Sequence, residues 1–147
     1  MKSCFFIGHR EATEELIPQL TNIITELIAD GITEFVVGSY GGFDRVAASA
    51  LRKTKATHPN IILTLLTPYH PADRPIALPR DFDGSFYPPG MEAVPRRLAI
   101  LQANRYMAEN CDVLVAYAWH PASNAKELVD FARKKSHARI ISIARVS

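Results

Sequence analysis

The apolar positions of this chain fall into two alternating kinds of run. One kind is a short unbroken block, such as Cys4-Phe5-Phe6-Ile7, Ile61-Ile62-Leu63 or Val113-Leu114-Val115-Ala116. A block apolar at every position has no polar face, which marks a strand buried on both sides in a parallel sheet. The other kind repeats every third or fourth residue, as in Leu16, Leu20, Ile23, Ile24, Leu27 and Ile28, and describes one buried helix face. Read this way, the chain predicts strands at 2–7, 34–37, 61–66, 112–116 and 139–143. Helices are predicted over 14–29, 43–56, 95–109 and 124–135. Thr13 and Ser123 stand where N-caps belong, and Asp30-Gly31 supplies a stop.

Strand and helix alternate along one domain, 1–147. Right-handed crossovers then give an α/β, Rossmann-like three-layer sandwich with a five-stranded, mostly parallel sheet in the order 3-2-1-4-5. That order reverses between the first and fourth strands. Ligands in such sheets bind at the carboxyl ends of the strands beside the reversal. One stretch, 67–94, shows no periodicity. It holds six of the ten prolines (Pro68, Pro71, Pro75, Pro79, Pro88, Pro89) and the aromatics Tyr69, Phe82, Phe86 and Tyr87. A loop of that length and composition reads as an ordered functional flap.

Composition narrows the classes. The chain has 147 residues, 48% of them apolar and 22% charged, within the ordinary globular range. A net charge of +2, scattered along the chain, argues against direct binding of nucleic acid or of a membrane surface. No apolar run approaches the roughly 20 residues that cross a bilayer. Met1-Lys2 leads straight into the first strand and leaves no room for a leader, so a cytoplasmic protein is expected. Cys4 and Cys111 lie in or beside apolar runs and read as buried free thiols. Neither the cysteines nor the five histidines have metal-ligand spacing, and no metal is expected.

The polar residues at strand ends are the candidates for chemistry. Gly8-His9-Arg10 follows the first strand; arginine can fork onto a phosphate, and histidine can donate to one or shuttle protons. Gly38-Ser39-Tyr40-Gly41-Gly42 opens the second helix, where free N–H groups and close backbone approach suit an anion. It lacks the lysine of a Walker loop and the spacing of the dinucleotide fingerprint, and serves equally as a tight turn. Asp44 is placed either to cap that helix or to hold a ribose hydroxyl. Asn104 and Arg105 lie on the third helix, facing either solvent or the site. Ser123 and Asn124 open the last helix, a second anion-binding terminus. Glu127 in its first turn is either a surface acid or, with His9, a candidate for acid–base catalysis. Trp119 sits at the mouth, to stack on a base or to cover the sheet edge.

Together these segments resemble the YpsA-like branch of the SLOG superfamily, which also includes the LOG phosphoribohydrolases and DNA-processing proteins. Cys4-Phe5-Phe6-Ile7-Gly8-His9-Arg10 resembles the branch's strand and Gly-His-Arg. Gly38 through Ala48 is similar to its G-x-x-x-G-x-D-x-x-A-A segment. Asn104-Arg105-Tyr106-Met107 with Asp112 to Ala116, and Val129 to Lys135, resemble two further segments in order. The resemblance implies a Rossmann-like fold binding a small nucleotide-like molecule, such as an NAD or ADP-ribose relative, with no certain cofactor. It also implies self-association into a homo-oligomer. The site it carries over comprises Gly8, His9, Arg10, Gly38, Gly42, Asp44, Asn104 and Arg105. The chain departs from the branch at Ser123-Asn124-Ala125, which replaces Gly-Gly-Thr, and at Ala103, which replaces an arginine. The P-G-G-x-G-T-x-x-E motif of the phosphoribohydrolases is absent. Three readings follow: a nucleotide-binding domain, an N-glycosidase acting on a nucleotide, or an interaction module without a small-molecule site.

Overall fold

In the computed structural model, which describes residues 2–145, the chain is built on one six-stranded sheet. Met1, used above in the expectation of no leader, lies outside the described residues. The strands are β1 (Ser3–Gly8), β2 (Glu34–Val37), β3 (Ile62–Leu66), β4 (Gly84–Phe86), β5 (Val113–Tyr117) and β6 (Arg139–Ser142). The helices are α1 (Ile17–Ala29), α2 (Gly42–Lys55), α3 (Ala99–Asn110) and α4 (Asn124–Lys135). The order is β4-β3-β2-β1-β5-β6, and every pairing is parallel.

The apolar blocks form a two-faced sheet. Along β1, Cys4 and Phe6 enter the core that also takes α1 and α2, while Phe5 and Ile7 enter the core with α3 and α4. Likewise Val113, Val115 and Tyr117 of β5 face one layer, and Leu114 and Ala116 the other. Helix α1 ends as the sequence implies. Gly31, at φ 99°, lets its amide reach Ile28 and the Ile32 amide reach Leu27, closing the C-terminus. The start of α1 differs. Thr13 makes no side-chain cap; a 3-10 turn, Glu14–Leu16, comes first, and the α-helix begins at Ile17 with Pro18 in its first turn.

The sixth strand is a correction to the predicted five. β4 lies inside the stretch read as loop and pairs with β3 in the register Thr64↔Gly84, Leu65↔Ser85, Leu66↔Phe86. Its three residues, Gly-Ser-Phe, carry no pattern that periodicity can detect. Side chains hold it instead. The Asp83 carboxylate accepts the Leu63 amide (2.8 Å) and Lys55 Nζ (2.5 Å), and the Thr67 amide donates to the Phe86 carbonyl (2.9 Å). Phe82 packs on one core, Phe86 and Tyr87 on the other. Among the described residues no helix is long and apolar enough to cross a membrane.

Candidate functional site

The β1–β5 reversal opens a crevice of about 490 Å³ at the carboxyl ends of the strands. Five segments wall it: the turn after β1, the turn after β2, the end of β3, one face of α3 with the turn before it, and the start of α4. Its volume falls in the range of small-molecule sites, roughly 300–1,000 Å³.

The turns after β1 and β2 are locked together. The Gly42 amide donates to the Arg10 carbonyl (2.9 Å) and the Phe43 amide to the His9 carbonyl (3.2 Å). Two of the donors at the start of α2 are thereby spent on the protein's own backbone. A Cβ on Gly42 would run into the Arg10 carbonyl oxygen, and one on Gly8 into the Phe43 ring. These glycines are present because two chain segments cross there. Ser39, Gly41 and Gly42 do not line the crevice; Gly8, Gly38, Tyr40 and Asp44 do.

Asp44 lies behind Gly38, its Oδ2 accepting the Tyr40 amide at 2.9 Å. Burial pushes this carboxyl from an ordinary 3.8 up to about 6, against the pull of that hydrogen bond. It is the one acid among the described residues that line the crevice.

His9 is held from several sides. Its Nε2 accepts the His120 amide at 3.2 Å, which leaves the proton of the neutral ring on Nδ1. The ring meets Trp119 (centroids 4.9 Å apart) and Tyr117 (5.5 Å) edge-on. Burial, then the neighbouring His120, lower its pKa, with Glu11 opposing. His9 therefore ties the β5–α4 connection to β1 as a neutral acceptor. Trp119 packs against His9 and beneath the Arg145 guanidinium (4.3 Å), outside the crevice lining.

The start of α4 is different from that of α2. Ser123 caps it, Oγ accepting the Lys126 amide (3.1 Å) and donating to the His120 carbonyl (2.8 Å). The amides of Asn124 and Ala125 find no acceptor among the described residues, and both residues line the crevice. Arg10, Arg97 and Asn104 line the same crevice. Neither arginine forms an ion pair among the described residues.

The structure separates some residues that the sequence grouped. Arg105 is exposed, its guanidinium 5.4 Å over the Phe131 ring at the α3–α4 seam. Glu127 is exposed on α4 and outside the crevice. Arg97 and Tyr40 were missed. Ile100, Leu101 and Asn104 line the crevice from α3, and Arg97 from the 3-10 turn Arg96–Leu98 that replaces the first turn of the helix predicted over 95–109; read as one helix, the four fall at i, i+3, i+4, i+7 in the sequence.

The chain is similar in fold to DNA processing protein A from Helicobacter pylori. The two superpose with a TM-score of 0.65 over 99% of this chain at 18% identity. This chain spans 66% of the length of that protein, which binds single-stranded DNA. At such identity the likeness establishes the Rossmann-like fold. No protein-family model and no curated protein matches the chain by sequence. The neighbour corrects one expectation, that the small net charge argues against direct nucleic-acid binding. The same architecture binds single-stranded DNA in that protein. A net charge of +2 averages over the surface and says nothing of where arginines cluster.

Proposed function

We propose that the crevice binds a nucleotide, its phosphate on the free amides of Asn124 and Ala125 between Arg10 and Arg97. The observation that carries this reading is that one crevice, at the point of strand reversal, is lined by two helix-N-terminal amides without an acceptor and two guanidiniums without an ion pair among the described residues. Asp44 then accepts a sugar hydroxyl, and the base rests against Tyr40 and Leu101. Gly8, Gly38, Asn104 and Ser123 complete the wall. NAD and ADP-ribose belong to this ligand class, as the resemblance to the YpsA-like branch of SLOG proteins supports. Binding suits the residues better than N-glycosidic cleavage, because Glu127 lies outside the crevice.

Calorimetric titration with AMP, ADP-ribose and NAD tests the proposal. Arg97→Ala is expected to weaken whichever ligand binds by tenfold or more, about 1.5–3 kcal/mol for a charge-assisted contact. No heat and no thermal shift at millimolar concentration of all three refutes it. A second reading, a single nucleic-acid strand entering the same crevice, is favoured by the DNA-binding neighbour. A short single-stranded oligonucleotide in the same titration distinguishes the two.

A further inference from the structure

A second cavity, of about 290 Å³, adjoins the crevice and shares Tyr40, Leu66 and Pro68 with it. It is lined by the end of β3 with the residues that follow, Leu65 to Tyr69, and by residues of the segment from Arg74 to Pro79. The lining is chiefly apolar, with rigid prolines at positions 75 and 79. Its volume is small for a whole second ligand and suits one ring system. At the junction Tyr40 is 42% exposed, its hydroxyl close to Tyr69 and Arg74.

Charge follows the same path. Arg74 is stacked 4.1 Å over Tyr69, and Arg96 reaches the same ring at 5.7 Å. With Arg10 and Arg97, Arg74 makes three guanidiniums that line the two cavities, Arg96 lying behind them on the Tyr69 ring, and none of the four forms an ion pair among the described residues. Asp44 is the one acid among the described residues lining either cavity. Two joined hollows, flat apolar walls and unpaired cations describe a ligand with two ring systems and more than one phosphate charge.

We propose that the two cavities form one bipartite site for a ligand of two nucleoside units joined through phosphate, the second base lying under the Arg74–Pro79 segment. This rests on the nucleotide reading of the crevice and adds the second unit. The linkage has two chemical sources, a 3′–5′ bond at the end of a strand or a 5′–5′ pyrophosphate.

The test compares AMP, the dinucleotide pApA and the 5′–5′ dinucleotide Ap2A by titration, with wild type and with Ala77→Trp, which fills the second cavity from an exposed loop position. Thermal melting checks that the variant folds, and Ala77→Glu, which places a carboxylate there, is the second variant. In wild type at least one dinucleotide binds at least about tenfold tighter than AMP, the usual gain of one stacked base. The variants bring that ratio towards one. Preference for pApA or for Ap2A identifies the linkage. Equal affinity of all three in wild type overturns the bipartite site and leaves the crevice reading standing. A tenfold ratio that persists in both variants also overturns it. Absence of binding by all three overturns both readings.

Discussion

Replacing Asp44 by asparagine is expected to stabilise the protein at neutral pH and to weaken its ligand at the same time. The carboxyl is buried beside Gly38 with one backbone amide as partner, and burial carries it from 3.8 to about 6. The unfolded chain gives up this proton near its ordinary value, the folded chain about two units higher. Between those values the folded state holds the extra proton, so stability falls as pH rises through the window and stays low above it. Two units correspond to at most about 3 kcal/mol, and nearer 1–2 for a side chain partly open to the crevice. Asparagine keeps an acceptor for the Tyr40 amide and removes the ionisation. Urea unfolding of both proteins at about pH 8 and about pH 4.5 reads the difference as a shift in midpoint at constant slope. The variant gains most at the higher pH and roughly a third as much at the lower, which lies near the foot of the window. His9, whose pKa burial lowers, titrates with the opposite sign in both proteins and cancels in the comparison. A variant destabilised equally at both pH values would show that the carboxyl is not strained and would refute the reasoning. A carboxylate kept where it costs stability is what a binding site retains for use. Nucleotide affinity of the variant should therefore fall at the higher pH while its midpoint rises.

Other expectations can be checked on the same material. Gly8→Ala drives a methyl into the fully buried Phe43 ring and should lower stability by about 2–3 kcal/mol in urea unfolding. Ser123→Ala removes the α4 cap and should cost about 1 kcal/mol in the same assay. The Lys55 ion pair, then the Leu63 amide, hold the Asp83 carboxyl below its usual range. That support is present above the unfolded value and is lost as pH falls through the folded one. Asp83→Asn should therefore speed hydrogen exchange at Thr67, whose amide closes the β4 pairing, when the two proteins are compared at one neutral pH. Glu127→Gln should leave nucleotide affinity unchanged in titration, because the side chain is exposed away from the crevice.

What the sequence reveals depends on whether a feature is written in periodicity or in contact. Five of the six strands follow from apolar blocks such as Cys4 to Ile7: burial on both faces leaves a local signature in β1, β2, β3 and β5, the half-buried β6 shows only Ile140-Ile141, and the order around β1 follows from right-handed crossovers. β4 leaves none. Its place is decided by Asp83 reaching Leu63, 20 residues away, and Lys55, 28 away, contacts that no local window contains. In the crevice, Gly8, His9, Arg10, Asp44 and Asn104 were legible as polar residues at strand ends or on a helix face. Arg105 was misplaced by its neighbour: one residue along a helix turns the side chain by about 100°, from the crevice to Phe131.

The two helix openings, Gly38 to Gly42 and His120 to Asn124, look alike as sequence: each is a strand, a short turn of small or polar residues, and a helix. They differ in what the fold brings to their amides. At α2 the turn after β1 arrives with two carbonyls, those of His9 and Arg10, and the glycines exist to let it come that close. At α4 the corresponding backbone is held back. His9 accepts the His120 amide, Ser123 takes the His120 carbonyl, and no carbonyl among the described residues reaches Asn124 or Ala125. The glycine-rich turn is thus a joint, and the glycine-free one keeps its donors. That inverts the usual expectation that glycine marks the phosphate. It also gives His9 a structural part that needs no proton transfer: its ring nitrogen braces the β5–α4 connection by accepting the His120 amide, next to the turn that opens α4.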